Sequence, residues 1–222
     1  MIPLYDTLRS RRFPLVNWLL IGLNGLVFYY ELTLGSAGLE SFIRTWGLVP
    51  LNLTSHPDVA WVTIFSSMFI HGGWFHLLSN MWVLFIFGDN IEDRLGSFRY
   101  ILFYLLSGTA AALLQVYILG ESSMPMVGAS GAIAGVLGAF LVLYPRARVA
   151  SLVPILFIFT IVELPAIIFL AFWFISQLFS GLFMLSGGAG SGIAWWAHIG
   201  GFLFGMTAGL LLAPRRTYYS GF

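Results

Sequence analysis

Apolar residues along this chain run on unbroken, for lengths that match a membrane-crossing helix, and short charged or glycine-rich stretches interrupt them. A hydrocarbon core about 30 Å thick takes roughly 20 apolar residues as a helix. On that measure the pattern predicts six spans: Leu15 to Leu34, Gly72 to Gly88, Phe98 to Leu119, Gly128 to Tyr144, Leu164 to Leu185 and Ile193 to Ala213. Pro145 stops the fourth and Pro214-Arg215-Arg216 the sixth. Gly35 to Ile70 mixes Glu40, Arg44, His56 and Asp58 with aromatic residues and is broken at Gly47, Pro50 and Pro57, so it reads as a segment lying in the membrane interface. Asp89 to Arg99 reads as a charged turn, Gly120 to Met126 as a short loop and Gly187 to Gly192 as a flexible one. Ala150 to Leu185 is too long for one helix and carries Pro154 and Glu163-Leu164-Pro165; Ala150 to Val162 is expected to approach the membrane along its interface. The expected fold class is all-α, a six-transmembrane-helix bundle, with a basic arm over residues 1–14, one domain over 15–213 and a tail over 214–222.

Composition narrows the class and charge orients it. Of 222 residues, 59% are hydrophobic and 9% charged, against roughly 25% charged in soluble domains. With no cysteine, thiolate catalysis, disulfides and Cys-ligated metals are excluded. The first apolar run lacks a small-residue cleavage site and reads as a span rather than a leader. All ten cations are arginine, and a six-span topology puts nine of them on the side of the termini, with Arg44 alone opposite. By the positive-inside rule both termini are expected in the cytoplasm, with the chain in the cell (inner) membrane.

The second, fourth and sixth spans then run from outside to inside, and each carries polar residues in its first turns: His76 and Asn80, Ser130, and His198. Counting 1.5 Å per residue puts Ser130 and His198 roughly 8–10 Å below the outer surface. His76 and Asn80, four apart, share a helical face. Ser130, Ala134 and Gly138 form a small-residue stripe with Gly131 and Gly135 beside it, and Gly201, Gly205 and Gly209 follow His198. Such faces let helix backbones approach closely, which brings a hydroxyl toward an imidazole, the arrangement that activates a nucleophile. Each residue also has a plainer role. A serine in an apolar helix bonds back to its own i−4 carbonyl, glycines are packing devices, and a membrane histidine is often held by a structural hydrogen bond. The acids lie in loops or near span ends, so a Ser–His pair without a carboxylate is the economical chemistry. A metal site of His71, His76 and His198 competes, without an HExxH pattern or carboxylate cluster behind it.

These residues resemble the rhomboid family of intramembrane serine proteases. The resemblance is carried by His71-Gly-Gly-Trp-Phe-His76-Leu-Leu-Ser-Asn80, Glu92-Asp-Arg94-Leu-Gly96, Gly128-Ala129-Ser130-Gly131 and Ala197-His198-Ile-Gly-Gly201 with Gly205, in the family's order. It implies a serine endopeptidase with Ser130 as nucleophile and His198 as general base. His76, Asn80 and the backbone N–H of Ser130 and Ala129 would form the oxyanion hole, with Gly128 allowing close approach. It further implies a supporting role for His71, a structural pair in Glu92 and Arg94 (or else a surface ion pair), and a gate for substrate at Trp173 and Phe174, capped by the glycine loop. Trp61-Val62 departs from the family's Trp-Arg, and six spans correspond to the minimal bacterial form. The implied partners are transmembrane protein substrates and the lipid bilayer, with no cofactor, metal or nucleic acid; the oligomeric state is open. A non-catalytic relative that binds membrane helices is the alternative, and retention of both Ser130 and His198 argues against it.

Overall fold

A computed structural model describes residues 1–155, 158–186 and 192–212. The glycine loop over 187–191 and the tail read over 214–222 lie outside these residues. The first helix, α1, spans Leu15–Thr33. The connection after it folds into short helices, α2 Gly35–Trp46, α3 Pro50–Ser55, α4 Pro57–Ala60 and α5 Thr63–Ser66, with a 3-10 turn over Ser67–Phe69. The bundle is completed by α6 Trp74–Leu95, α7 Ser97–Leu119, α8 Ser130–Leu143, α9 Ala166–Leu185 and α10 Trp195–Leu212.

The chain is a multi-pass membrane protein. Four helices, α1, α7, α9 and α10, are long and apolar enough to cross a bilayer unaided, and α6 joins them when taken with Thr63–Phe69, from which it bends by 94°. The fourth expected span is different. Helix α8 has 14 residues, about 21 Å at 1.5 Å per residue, and is too short to cross alone. Its residues from Gly131 to Phe140 are buried without a break, so it is the bundle's central rod and meets protein on all sides.

Small residues set its closest contact. A methyl on Gly201 or Gly205 would strike the carbonyl of Gly131 or Gly135, and one on Gly138 would strike the Phe202 carbonyl. Numbers rise together along this seam, so α8 and α10 are parallel. The seam takes Gly138 from the expected stripe and Gly131 and Gly135 from beside it, in place of Ser130 and Ala134. Phe87 of α6 packs on Phe140 of α8 at 4.9 Å between ring centres, while Asn80 near the other end of α6 approaches Gly128. Helix α6 therefore runs in the same direction.

A buried polar stripe locks α1 to the bundle. Asn17, Asn24 and Glu31, spaced seven apart, are all buried on one face. The Glu92 carboxylate accepts the Val16 and Asn17 N–H groups at 3.1 and 2.8 Å and the Ser97 hydroxyl at 2.6 Å. The two N–H groups are donors that the first turn of α1 leaves without helical acceptors. Glu92 is thus buried at the start of α1 and is no surface ion pair. Arg94, in the last turn of α6, forms no ion pair among the described residues.

Two readings are corrected. Asp89 to Arg99 is helix rather than turn: α6 continues to Leu95, because Asn90, Ile91 and Glu92 are buried against neighbours. The break is confined to Gly96, at φ 80°, a value a side chain rarely adopts. Secondly, the bundle also holds a sheet of three antiparallel strands, β1 Ile2–Asp6, β2 Arg148–Ile155 and β3 Ile158–Pro165, in that order. The basic arm thereby contributes a strand, paired from Ile2↔Leu152 to Asp6↔Val149. The segment expected to skim the interface is the hairpin β2–β3. Its β-branched and aromatic residues fit a pleated surface, and pairing satisfies backbone groups that an irregular apolar segment would leave bare. The sheet lies against α6 from Trp82 to Asn90, where the Trp82 indole donates to the Pro3 carbonyl at 2.7 Å and the Asn90 amide to the Asp6 carboxylate at 3.0 Å.

Candidate active site

The bundle surrounds a cavity of about 570 Å³ at the end where α6, α8 and α10 begin, and Ser130, His198, His76, Asn80 and Gly128 all line it. Ser130 is the first residue of α8. Its hydroxyl lies 2.8 Å from His198 Nε2. His198 comes one turn into α10, and the parallel glycine seam sets the two at the same height. The side chain thus faces across to the neighbouring helix rather than back to its own i−4 carbonyl.

Side-chain nitrogens of His76 and Asn80 line the same cavity beside Gly128. Gly128 is at φ 121°, and its N–H donates to the Ser67 carbonyl at 2.8 Å. A methyl there would fall 2.5 Å from His76 Nε2 and 3.7 Å from Asn80 Nδ2. Two side chains of α6 therefore converge on the backbone just before the serine. The Ser130 N–H, in the first turn of α8, has no helical acceptor, and the positive end of the helix dipole favours negative charge beside it.

Asn80 is itself held. Its Nδ2 donates to His71 Nε2 at 3.1 Å, His71 Nδ1–H donates to the Phe69 carbonyl at 3.3 Å, and the His71 backbone N–H donates to the Glu31 carboxylate at 3.0 and 3.3 Å. With Nδ1 as donor, His71 Nε2 is the acceptor the asparagine needs. His71 is buried beneath the cavity, with its ring 5.0 Å from that of His76. No three histidine or carboxylate groups gather as metal ligands among the described residues.

Two features of the site were not anticipated. Gln177, a buried amide in the otherwise apolar α9, places Oε1 2.8 Å from His198 Nδ1. Its one signal in the sequence is a polar side chain in mid-span, which normally has a partner. Trp173 and Phe174, expected at a gate, pack inward. Trp173 lies 6.0 Å from the His198 ring and 5.8 Å from Phe202 between centres, and Phe174 stacks on Phe202 at 4.8 Å. Trp195 meets His198 edge-on at 6.1 Å.

Fold and cavity together define a helical membrane protein with a hydrogen-bonded serine and histidine inside the bundle. The rhomboid domain family matches residues 58–215. The chain is 33% identical over 186 residues to RHOMBOID-like protein 2 of Arabidopsis thaliana, covering 81% of this chain and 50% of the relative. It is 35% identical over 112 residues to Rhomboid-like protein 11, chloroplastic, of the same plant, covering 50% of this chain and 39% of the relative. With the Rhomboid protease GluP of Bacillus subtilis (strain 168) it shares 32% identity over 129 residues, 58% of this chain and 24% of that protein. The chain spans at most about half the length of these relatives. It belongs to the rhomboid family.

Proposed function

We propose that this protein is a rhomboid-type intramembrane serine endopeptidase that cuts transmembrane segments of other membrane proteins near the outer leaflet. The observation that carries the reading is the 2.8 Å contact between Ser130 Oγ and His198 Nε2. It opens into a cavity lined by His76 and Asn80, whose side-chain nitrogens lie against Gly128 just before the start of α8. In the proposed reaction Ser130 Oγ attacks a substrate carbonyl carbon as its proton passes to His198 Nε2. The carbonyl oxygen takes up negative charge and accepts hydrogen bonds from His76, Asn80 and the Ser130 and Ala129 N–H groups. The imidazolium returns the proton to the departing amine, and water then cleaves the acyl–serine bond by the same route. The relative named as a protease supports hydrolysis at this site.

The remaining assignments belong to the same proposal. Helix α8 counts as one of six crossings, and nine of ten arginines then fall on the side of the termini, which supports cytoplasmic ends in a cell membrane. Substrate enters beside α9, with Trp173 and Phe174 on the gating helix. It unwinds at the cavity, where small or helix-breaking residues ease the cost of baring backbone in lipid. Labelling with a fluorophosphonate in detergent tests the reading without a known substrate. The wild type is expected to label at Ser130 and Ser130→Ala is expected not to; a wild type that does not label points to a membrane-helix binder without hydrolytic activity.

A further inference from the structure

A two-residue mechanism leaves the far side of the imidazole unused, and here that side is occupied. Gln177 Nε2 donates to Ser176 Oγ at 3.0 Å and to the Trp173 carbonyl at 3.4 Å, and Ser176 Oγ spends its own hydrogen on the Trp173 carbonyl at 2.6 Å. With both amide hydrogens directed at oxygen atoms, the carbonyl end of Gln177 faces His198 Nδ1 at 2.8 Å. A carbonyl oxygen only accepts, so Nδ1 carries the hydrogen. A neutral imidazole has one such hydrogen, which leaves the Nε2 lone pair pointing at the Ser130 hydroxyl. The opposite tautomer sets two lone pairs against each other at Nδ1 and gives the serine proton no acceptor.

Resting on the protease reading above, we propose that Gln177 is a positioning residue of the hydrolytic site, holding His198 in the Nδ1–H tautomer and in line with Ser130. It does from α9 what a carboxylate does in a serine protease triad. An amide suits the setting: it orients the ring and still accepts from the imidazolium, without the desolvation cost of an anion inside the membrane. One turn of α9 supplies both neighbours of the imidazole, since Trp173 lies 6.0 Å from the same ring, centre to centre.

The test compares wild type, Gln177→Leu and Gln177→Glu as purified full chains in detergent. It reads cleavage of a model single-span substrate, fluorophosphonate labelling of Ser130, and 15N NMR of labelled histidine. Gln177→Leu is expected to lower kcat and the labelling rate by about 10²-fold with KM nearly unchanged, and to let the His198 proton populate Nε2. Gln177→Glu keeps an acceptor oxygen and is expected to recover most of the rate. Wild-type labelling by Gln177→Leu overturns the proposal, as does equal loss in both variants with the tautomer unchanged. An Nε2–H signal for His198 in the wild type alone also overturns it. A wild type that fails to label sinks the hydrolase reading instead, and the tautomer measurement then still decides the role of Gln177.

Discussion

Gly128 and Asn80 shape the side of the cavity next to Ser130 by different means. Gly128 is needed for its backbone, because φ 121° is strained for any side chain and a methyl would meet the His76 ring. Gly128→Ala is expected to destabilise the fold by about 1–3 kcal/mol and to slow fluorophosphonate labelling by displacing His76, checked by thermal unfolding and labelling of the same sample. Asn80 is needed for its amide. Asn80→Ala is expected to lower kcat about 10²–10³-fold and, because it leaves the buried His71 Nε2 without its donor, to lower the melting temperature as well; unchanged turnover would remove it from the proposed oxyanion hole. The Ser130 and His198 positions were legible because three helix starts carry polar residues at one depth. The support beneath Asn80 was not. It depends on the Glu31 carboxylate reaching His71, 40 positions away, a contact no periodicity announces.

At the scale of elements, the contact between Ser130 and His198 depends on how closely α8 and α10 approach. The glycines that permit this were readable as small-residue faces, although on α8 Gly131 and Gly135 stand in the seam in place of Ser130 and Ala134. That displacement has a physical reason: the serine must look into the cavity at the top of the seam, so the glycines beside it make the backbone contact. Gly205→Val places branched carbon against the Gly135 backbone. It is expected to cost at least about 1–3 kcal/mol and to abolish labelling by parting Ser130 from His198. A full labelling rate in Gly205→Val would show that the two residues do not depend on the seam. Helix α9 is held on α10 by aromatic contacts of Trp173 and Phe174 with Phe202, so the proposed entry of substrate beside α9 would have to loosen these contacts. Gln177 escaped notice in the sequence because an amide belongs to no motif and its partner is on another helix.

Across the whole molecule, the long helices were legible in the main, while the short helices α2–α5 and the sheet were not. Each long helix writes its pattern in consecutive residues, whereas Ile2 finds its partner at Leu152. A continuous apolar run such as β2–β3 looks the same whether it becomes helix or strand until its partners are known. The sheet ties the first residues of the chain to the strands between α8 and α9, and Asp6 sits where that tie meets α6. Burial raises the Asp6 carboxyl to about 7; the Leu8 N–H opposes the shift and the nearby Asp89 carboxylate adds to it. The folded state therefore prefers Asp6 protonated. The stability it contributes is complete below the unfolded value of 3.8 and is lost as pH rises through about 7. Because Asp6 is partly exposed, solvent screening reduces the effect to the order of 1 kcal/mol, or about 2–4 °C for a chain of this size. The melting temperature in detergent is expected to fall by that amount between pH 5 and pH 8, and Asp6→Asn is expected to remove that part of the fall. A wild type whose melting temperature rises over this range, or an Asp6→Asn variant that keeps the full slope, would place the titration elsewhere.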